Sequence, residues 1–152
     1  MATNKGCLPA AVKLLAARDH TEHELRVKLA RRYDEAEIDA ALATLRNRGY
    51  LDDAALAARL ATQLLESGQY GLSGIEDRLL RRGFPAAVAT AAVSALPEAE
   101  EYPRAAALAR RHFPAAERDD ILRAARFLAS RGFAAETVLL VLENVYRFEE
   151  NG

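Results

Sequence analysis

The sequence predicts an all-α protein of three tandem three-helix, helix-turn-helix-like repeats, arranged as an elongated array that can curve. One observation is composition, because alanine, leucine, arginine and glutamate, all strong helix formers, dominate the chain. The other is a turn in which a basic residue and a glycine precede an aromatic, at Arg82-Gly83-Phe84 and Arg131-Gly132-Phe133, with a weaker copy at Arg32-Tyr33. A spacing of about 50 residues between copies is typical of a tandem array.

Residues 1–49 are predicted to form the first unit, with helices at 8–18, 22–32 and 35–48. The second helix starts at a capping box, in which Thr21 accepts from the amide three residues on and Glu24 reaches back. Asp34 suits the N-cap of the third helix, and Gly49 suits the left-handed residue after its end. The apolar spacing places two leucines of the second helix against three residues of the third: Leu25 and Leu29 against Ile38, Leu42 and Leu45.

Residues 50–97 are predicted to form the second unit, with helices at 53–67, 73–82 and 85–96. Asp52 suits an N-cap, and Ser73 with Glu76 has the form of a second capping box. Gly83 suits a left-handed turn, and Pro85 suits the first turn of the last helix. The expected contacts across this turn join Ile75 and Leu79 to Val88, Ala92 and Leu96.

Residues 98–152 are predicted to form the third unit, with helices at 99–112, 116–131 and 134–147. Pro114 ends the first of these helices, and Gly132 follows the second. The segment VLLVLENV is apolar enough for a strand, but Glu143 and Asn144 inside it favour a buried helix. Leu128 is expected to face Val138, Leu142 and Val145. We interpret the turn aromatics Tyr33, Phe84 and Phe133 as structural, each packing between two helices.

Composition excludes several classes of protein. The net charge is −1, so the whole-molecule field does not attract nucleic acid. No apolar run approaches the roughly 18 residues of a membrane span, and the first 20 residues do not have the pattern of a signal peptide. Cys7 is the only cysteine, which excludes an internal disulfide and fits the reducing cytoplasm. We interpret Cys7 as a tail residue.

Two stretches carry a family resemblance: AARDHTEHELRVKL, from Ala16 to Leu29, and LRNRGYLDDAALAARL, from Leu45 to Leu60. Together with Tyr70-Gly71 and Arg82-Gly83-Phe84, they resemble the RecX family of RecA regulators. The resemblance covers nearly the whole chain and is strongest in the first half. There are departures, since the glycine expected before Tyr33 is missing and Leu72-Ser73-Gly74 replaces a proline and basic residues.

The resemblance implies a non-catalytic modulator of the RecA recombinase, acting as a negative regulator in homologous recombination, DNA repair and the SOS response. Such a protein would lodge in the groove of the RecA–single-stranded DNA filament and interfere with ATP hydrolysis, strand exchange and co-protease activity. The expected partner is therefore the filament, with any DNA contact made through it. We expect a cytoplasmic monomer that needs no cofactor.

Basic residues are the candidate partner-binding or DNA-binding residues. If the repeats stack with a common twist, equivalent helices would align their cations into a discontinuous stripe able to meet phosphates or an acidic protein surface. The candidates are Arg18, Arg26, Lys28, Arg31, Arg32, Arg46, Arg48, Arg78, Arg81, Arg82, Arg123, Arg126 and Arg131. The alternative is a solvated helix face with ion pairs such as Glu22–Arg26 and Glu24–Lys28.

Two other functions stay open at this point. The first is direct DNA binding of the helix-turn-helix type, and the second is a helical scaffold for another protein. Catalysis lacks support, because no phosphate-binding glycine loop and no nucleophile–base pair is present. We interpret Asp52-Asp53 as an N-cap and a first-turn acid, and His20 with His23 as a solvated pair at a helix start, so no metal site is predicted.

Overall fold

The computed structural model describes residues 6–97, 101–114 and 117–146, and every regular element within these ranges is an α-helix. The all-α class is therefore confirmed. Where the helix ends are described they differ from the prediction by no more than three residues, whereas the predicted ends at 99, 116 and 147 lie outside the described residues. The helices are α1 (Cys7–Ala17), α2 (Glu22–Leu29), α3 (Glu35–Asn47), α4 (Asp53–Glu66), α5 (Leu72–Arg81), α6 (Ala86–Ser94), α7 (Glu101–His112), α8 (Arg118–Ser130) and α9 (Ala135–Val145).

Three separate hydrophobic cores follow one another along the chain. The first lies between α1, α2 and α3 around Leu25 and Leu42, and the second lies between α4, α5 and α6 around Ile75. The third lies between α7, α8 and α9 around Leu128. The contacts expected across each turn fall within these cores. We retain the three units as a proposal, with the difference that Leu51 packs into the first core although the second unit is predicted to begin at residue 50.

Most of the helix starts follow the local signals. The capping box at Thr21 is present, and the side chains of Asp34 and Asp52 cap α3 and α4. The capping box predicted at Ser73 is wrong, because α5 begins one residue earlier, after Gly71. The amide of Leu72 donates instead to the carboxylate of Glu101, at 3.0 Å. A carboxylate 29 residues away in the sequence thus caps this helix.

The turns after the second helix of each unit also follow the prediction. Gly83 and Gly132 both have positive φ, and the aromatic that follows each is buried, with Phe84 3% and Phe133 5% exposed. Tyr33, which follows the turn without a glycine, is half-buried. The structural interpretation of Phe84 and Phe133 is confirmed.

The glycine-bearing turns also join neighbouring units. In the first joint, the Thr21 hydroxyl at the start of α2 donates to the Arg82 carbonyl at 2.9 Å. In the second joint, the Gly71 amide before α5 donates to the Arg131 carbonyl, also at 2.9 Å. Each joint therefore connects the start of one unit's second helix to the end of the next unit's second helix. Because the first joint links the first unit to the second and the second joint links the second unit to the third, the units lie in series.

The interpretation of Cys7 as a tail residue is wrong. Cys7 is the first residue of α1 and is buried in the first core, with 7% of its surface exposed. Burial, reinforced by the negative charges of Glu37 and Asp34, raises the pKa of its thiol. A thiol that is held protonated in this way is a poor nucleophile and a poor metal ligand, so Cys7 acts as a small apolar core residue.

Candidate functional site

An open groove with a basic rim, which we call the first groove, lies between α1 and the turn after α2. Its volume is about 590 Å³. Leu14 and Leu29 give it an apolar floor, because Leu29 belongs to the first core and the half-buried Leu14 packs against that core. The full lining is Ala10, Lys13, Leu14, Ala17, Lys28, Leu29, Arg31, Arg32 and Tyr33.

A second groove lies at the corresponding place in the second unit, between α4 and the end of α5, with a volume of about 390 Å³. Each of its lining residues lies 50 positions after a lining residue of the first groove. The two grooves are therefore copies of one feature of the repeat. The lining of the second groove is Leu60, Gln63, Leu64, Arg78, Leu79, Arg81 and Arg82.

The two rims differ in how their cations are held. Lys28 donates to Nε2 of His20 at 2.8 Å, and the guanidinium of Arg78 stacks over the Tyr70 ring at 4.2 Å. Arg82 pairs with Glu24 across the first joint. Within the described ranges, Arg31, Arg32 and Arg81 have no ion-pair partner, and all three are exposed. These three cations remain available to a ligand.

The third unit fills the corresponding place with its own aromatic side chains. Phe127 lies 49 positions after Arg78, on the same face of the second helix. The rings of His112 and Phe113, at the end of α7, pack against it with centroid distances of 4.9 and 5.7 Å. Arg131, the counterpart of Arg82, covers the Phe127 ring at 4.8 Å.

The remaining predicted site residues are mostly held by groups of this chain. Arg26 and Arg46 share the carboxylate of Glu22, and Arg26 also binds Asp39. Arg18 approaches Glu24, Arg123 approaches Asp120, and Arg131 donates to the side chain of Gln69. Arg48 and Arg126 are exposed and have no ion-pair partner in the described part of the chain. The structure therefore groups two sets of three, namely Lys28, Arg31 and Arg32, and Arg78, Arg81 and Arg82.

Of the two i,i+4 ion pairs predicted on α2, one forms and the other does not. Glu22 and Arg26 do pair, at 3.6 Å. Glu24 instead faces Arg82 and Arg18, while Lys28 turns to His20. The local i,i+4 rule therefore failed at Glu24, because the next unit supplies a closer cation.

The prediction of a solvated histidine pair is wrong for His20, which is 2% exposed. Its Nε2 accepts from Lys28, so its Nδ1 carries the proton and donates to the Arg18 carbonyl at 2.9 Å. Asp53 is also more than a first-turn acid, because it accepts from the Glu22 amide at 3.1 Å. Burial raises the pKa of Asp53, and the nearby carboxylates add to this effect although the amide opposes it.

Among the described residues, no three histidine, cysteine, aspartate or glutamate side chains gather so as to hold a metal ion. Nor does any described helix combine the length and the apolar character needed to cross a bilayer.

Glu24 is the central charge of the first joint. Its Oε1 accepts from the Arg82 guanidinium at 2.7 Å and from the Thr21 amide at 2.8 Å. Burial opposes ionisation of this carboxyl, but the hydrogen bonds from Arg82 and Thr21, with the charge of Arg18, outweigh burial and lower its pKa. A carboxyl whose pKa is lowered on folding stabilises the folded state above its unfolded pKa, and this stabilisation is lost as pH falls through the folded pKa.

We expect the Glu24→Gln substitution to lower the free energy of unfolding by about 1–2 kcal/mol at pH 7, since charge-assisted hydrogen bonds are lost at a partly buried site. The difference from the parent protein should shrink as pH falls below the ordinary glutamate pKa of 4.5. Urea unfolding at pH 7 and at acid pH measures both effects. The matched control is Glu35→Gln, an exposed first-turn acid of α3, and equal losses in the two variants would contradict the prediction.

Comparison with known proteins gives one consistent family. Residues 7–45 match the family model described as RecX, first three-helix domain. The chain is 42% identical to the regulatory protein RecX of Leptothrix cholodnii over 87% of this chain and 84% of that protein. It is 41% identical to the protein of that name from Thermus thermophilus over 83% of this chain and 82% of that protein.

Two crystal structures share the fold. RecX from Lactobacillus salivarius superposes with a TM-score of 0.76 at 18% identity, covering 90% of this chain and 92% of that chain. The crystal structure of another regulatory protein RecX superposes with a TM-score of 0.78 at 21% identity, covering 89% of this chain and 70% of that chain.

Proposed function

The chain belongs to the RecX family of regulatory proteins, and from this premise we propose that it is a non-catalytic negative regulator of RecA. It binds in the groove of the RecA–single-stranded DNA filament as a cytoplasmic monomer. There it interferes with ATP hydrolysis, strand exchange and co-protease activity through contacts alone. We also propose that the first unit ends at residue 49 and that the second unit ends at residue 97.

The observation that carries this proposal is the repetition of the basic-rimmed groove in two successive units. A filament presents the same surface again and again along its axis. A chain that carries equivalent binding features in series can contact more than one copy of that surface, which strengthens binding without new contact chemistry. The exposed cations Arg31, Arg32 and Arg81 are the residues we assign to this contact.

Direct reading of DNA is less well supported. In a helix-turn-helix module the helix after the turn enters the major groove and contacts the bases. In this chain those helices are α3, α6 and α9, and the only lysine or arginine in them is Arg46. Arg46 is bound to Glu22. The helices that would read DNA therefore lack the free cations that phosphate contacts require.

The test is the ATPase activity of the cognate RecA on single-stranded DNA. We expect the protein at stoichiometric concentration to inhibit ATP hydrolysis. The Arg32→Glu/Arg81→Glu variant should need about a tenfold higher concentration for the same inhibition, because the charge of one rim contact is reversed in each groove. The matched control is Arg110→Glu/Arg118→Glu, which changes the net charge equally at exposed sites outside both grooves. No inhibition by the parent protein would remove the proposal, and equal weakening by both variants would remove the assigned residues.

A further inference from the structure

The first and second grooves each combine an apolar floor with a basic rim, so a ligand that fits them needs both an apolar group and a negative charge. Their floors are apolar, with Leu14 and Leu29 in the first and Leu64 and Leu79 in the second. Their rims hold exposed cations, Arg31 and its counterpart Arg81 among them. A phosphate chain would satisfy the rim but would leave Leu14 and Leu64, which are both half-buried, in contact with water. A protein segment that carries a large apolar side chain between carboxylates satisfies both.

The third unit shows which side chain fits this place. There Phe127 stands at the position of Arg78, and the rings of His112 and Phe113 at the end of α7 pack against it. The guanidinium of Arg131 covers the Phe127 ring at 4.8 Å, a favourable cation–π distance. The third copy of the groove thus contains an aromatic ring beneath the rim arginine, supplied by the chain itself.

The first and second copies lack a ring at the position of Phe127, because Lys28 and Arg78 stand there, although the ring of Tyr33 also lines the first groove. They keep the leucine floor and the rim arginines Arg32 and Arg82, and their volumes are about 590 and 390 Å³. A phenylalanine-sized side chain fits within either volume. These two grooves are therefore open, whereas the third is closed by its own residues.

We propose that the first and second grooves each bind one short acidic segment of a protein partner, with an aromatic side chain of that segment seated on the leucine floor beneath the rim arginine. The flanking carboxylates of the segment pair with Arg31 in the first groove and with Arg81 in the second. Because two equivalent grooves lie in series, two copies of the segment bind together, one from each of two neighbouring partner molecules. The inference rests on the function proposed above, since it names the chemistry of the filament segment that the protein recognises.

The experiment uses the full chain and synthetic fluorescent peptides. The single peptide carries one Glu-Asp-Phe-Glu-Glu motif, and the tandem peptide carries two such motifs joined by a flexible glycine-serine linker of about 20 residues, which reaches roughly 25 Å. We expect the tandem peptide to bind at least tenfold more tightly than the single one, because the second motif binds intramolecularly. Replacing each phenylalanine by alanine should weaken binding at least tenfold.

A filled-groove variant provides the structural control. Gln63→His, Leu64→Phe and Arg78→Phe together install in the second groove the aromatic residues of the third unit. This variant should lose the tandem advantage and keep the affinity for the single peptide within about twofold to threefold, because the first groove is untouched. If it fails to fold by circular dichroism, the exposed-site variant Arg81→Glu replaces it, with the same expected loss of tandem advantage.

Each outcome is decisive. Peptides that bind equally well with alanine in place of phenylalanine, or a tandem peptide with no advantage, would overturn the inference. If a single-stranded DNA oligonucleotide binds in preference to the peptide and displaces it, the inference is also wrong, and the rim cations bind phosphates instead. Failure of this inference is distinguishable from failure of the proposed function. If the protein inhibits the RecA ATPase but does not bind the peptides, the proposed function is retained and this inference is wrong. If it binds the peptides but does not inhibit the ATPase, the inference about the grooves is retained and the proposed function is wrong.

Discussion

Replacing Gly132 by alanine should lower the free energy of unfolding by about 3–5 kcal/mol, which is among the largest effects of a single substitution. Gly132 has a φ of +81°, a conformation that costs a residue with a Cβ about 1–2 kcal/mol. The added Cβ would also overlap the backbone nitrogen and Cα of Gly74, at the start of α5. Neither atom belongs to a flexible side chain, so the overlap is relieved only if the second joint opens.

Gly68→Ala is the matched control for this substitution. Gly68 also has a positive φ, of +70°, but no atom lies within 4 Å of the position its Cβ would occupy. The control should therefore lose about 1 kcal/mol, which is the conformational cost alone. Urea unfolding of both variants measures the difference. Equal losses would show that the close approach of Gly74 and Gly132 contributes nothing to stability.

The joints also explain why the turn of the first unit lacks the glycine that the other two turns contain. Arg82-Gly83 and Arg131-Gly132 both pack against the start of another unit's second helix, and there an added Cβ would overlap a neighbour. The Arg32-Tyr33 turn lines the first groove instead. A glycine is therefore required at the two turns that form joints, and its absence at the third is compatible with the open groove.

The fold was predictable because its signals are local. A capping residue acts on an amide two or three positions away, and a glycine after a helix acts on the last turn, so Thr21, Asp34 and Asp52 mark the helix starts correctly. The tandem period was visible for the same reason, since each copy of the turn repeats one local pattern. Core contacts followed once each turn had brought two apolar faces together.

The errors concern contacts that the residue spacing within one helix does not encode. Ser73 was a reasonable N-cap by spacing, but the start of α5 is fixed by Glu101. His20 was expected in solvent, but it is enclosed and hydrogen-bonded by Lys28 and Arg18. The sequence of a helix does not show which carboxylate of another unit accepts hydrogen bonds from the free amides at the start of that helix.

The candidate site was only partly visible in the sequence. The basic triplets ending in Arg32 and Arg82 stand out at a separation of 50 residues. Their leucine floors were visible only in part. Leu29 and Leu79 directly follow the first cation of each triplet, but Leu14 and Leu64 come from the preceding helices, and their placement depends on the angle between helices. Nor could spacing show that Arg46 and Arg82 are held by carboxylates while Arg31 and Arg81 are not.

Glu101→Ala is expected to lower the free energy of unfolding by about 3–4 kcal/mol, because one carboxylate serves two helix starts. Its Oε1 accepts from the Leu72 amide at the start of α5, at 3.0 Å. Its Oε2 accepts from the Thr137 hydroxyl at 2.9 Å and from the Ala134 amide at 3.3 Å, both at the start of α9. Alanine removes the acceptors of two backbone amides and a negative charge near the positive ends of two helix dipoles.

Two further variants separate the hydrogen bonds from the charge. Glu101→Gln keeps one carbonyl oxygen and the side-chain shape, so we expect it to lose about half as much as the alanine variant. Glu136→Ala removes an exposed first-turn acid of α9 and should lose only about 0.5 kcal/mol, the dipole contribution alone. If Glu101→Ala loses no more than Glu136→Ala in urea unfolding, then Glu101 does not cap the two helices.

The double variant links this prediction to the second joint. Glu101 and Gly132 both hold the start of α5 against the third unit, through Leu72 and Gly74 respectively. Once the joint has been opened by Gly132→Ala, the carboxylate can no longer reach Leu72, so its removal then costs only the bonds to α9. The combined loss should therefore fall short of the sum of the single losses by about 1–2 kcal/mol, whereas strictly additive losses would mean that the two contacts act independently.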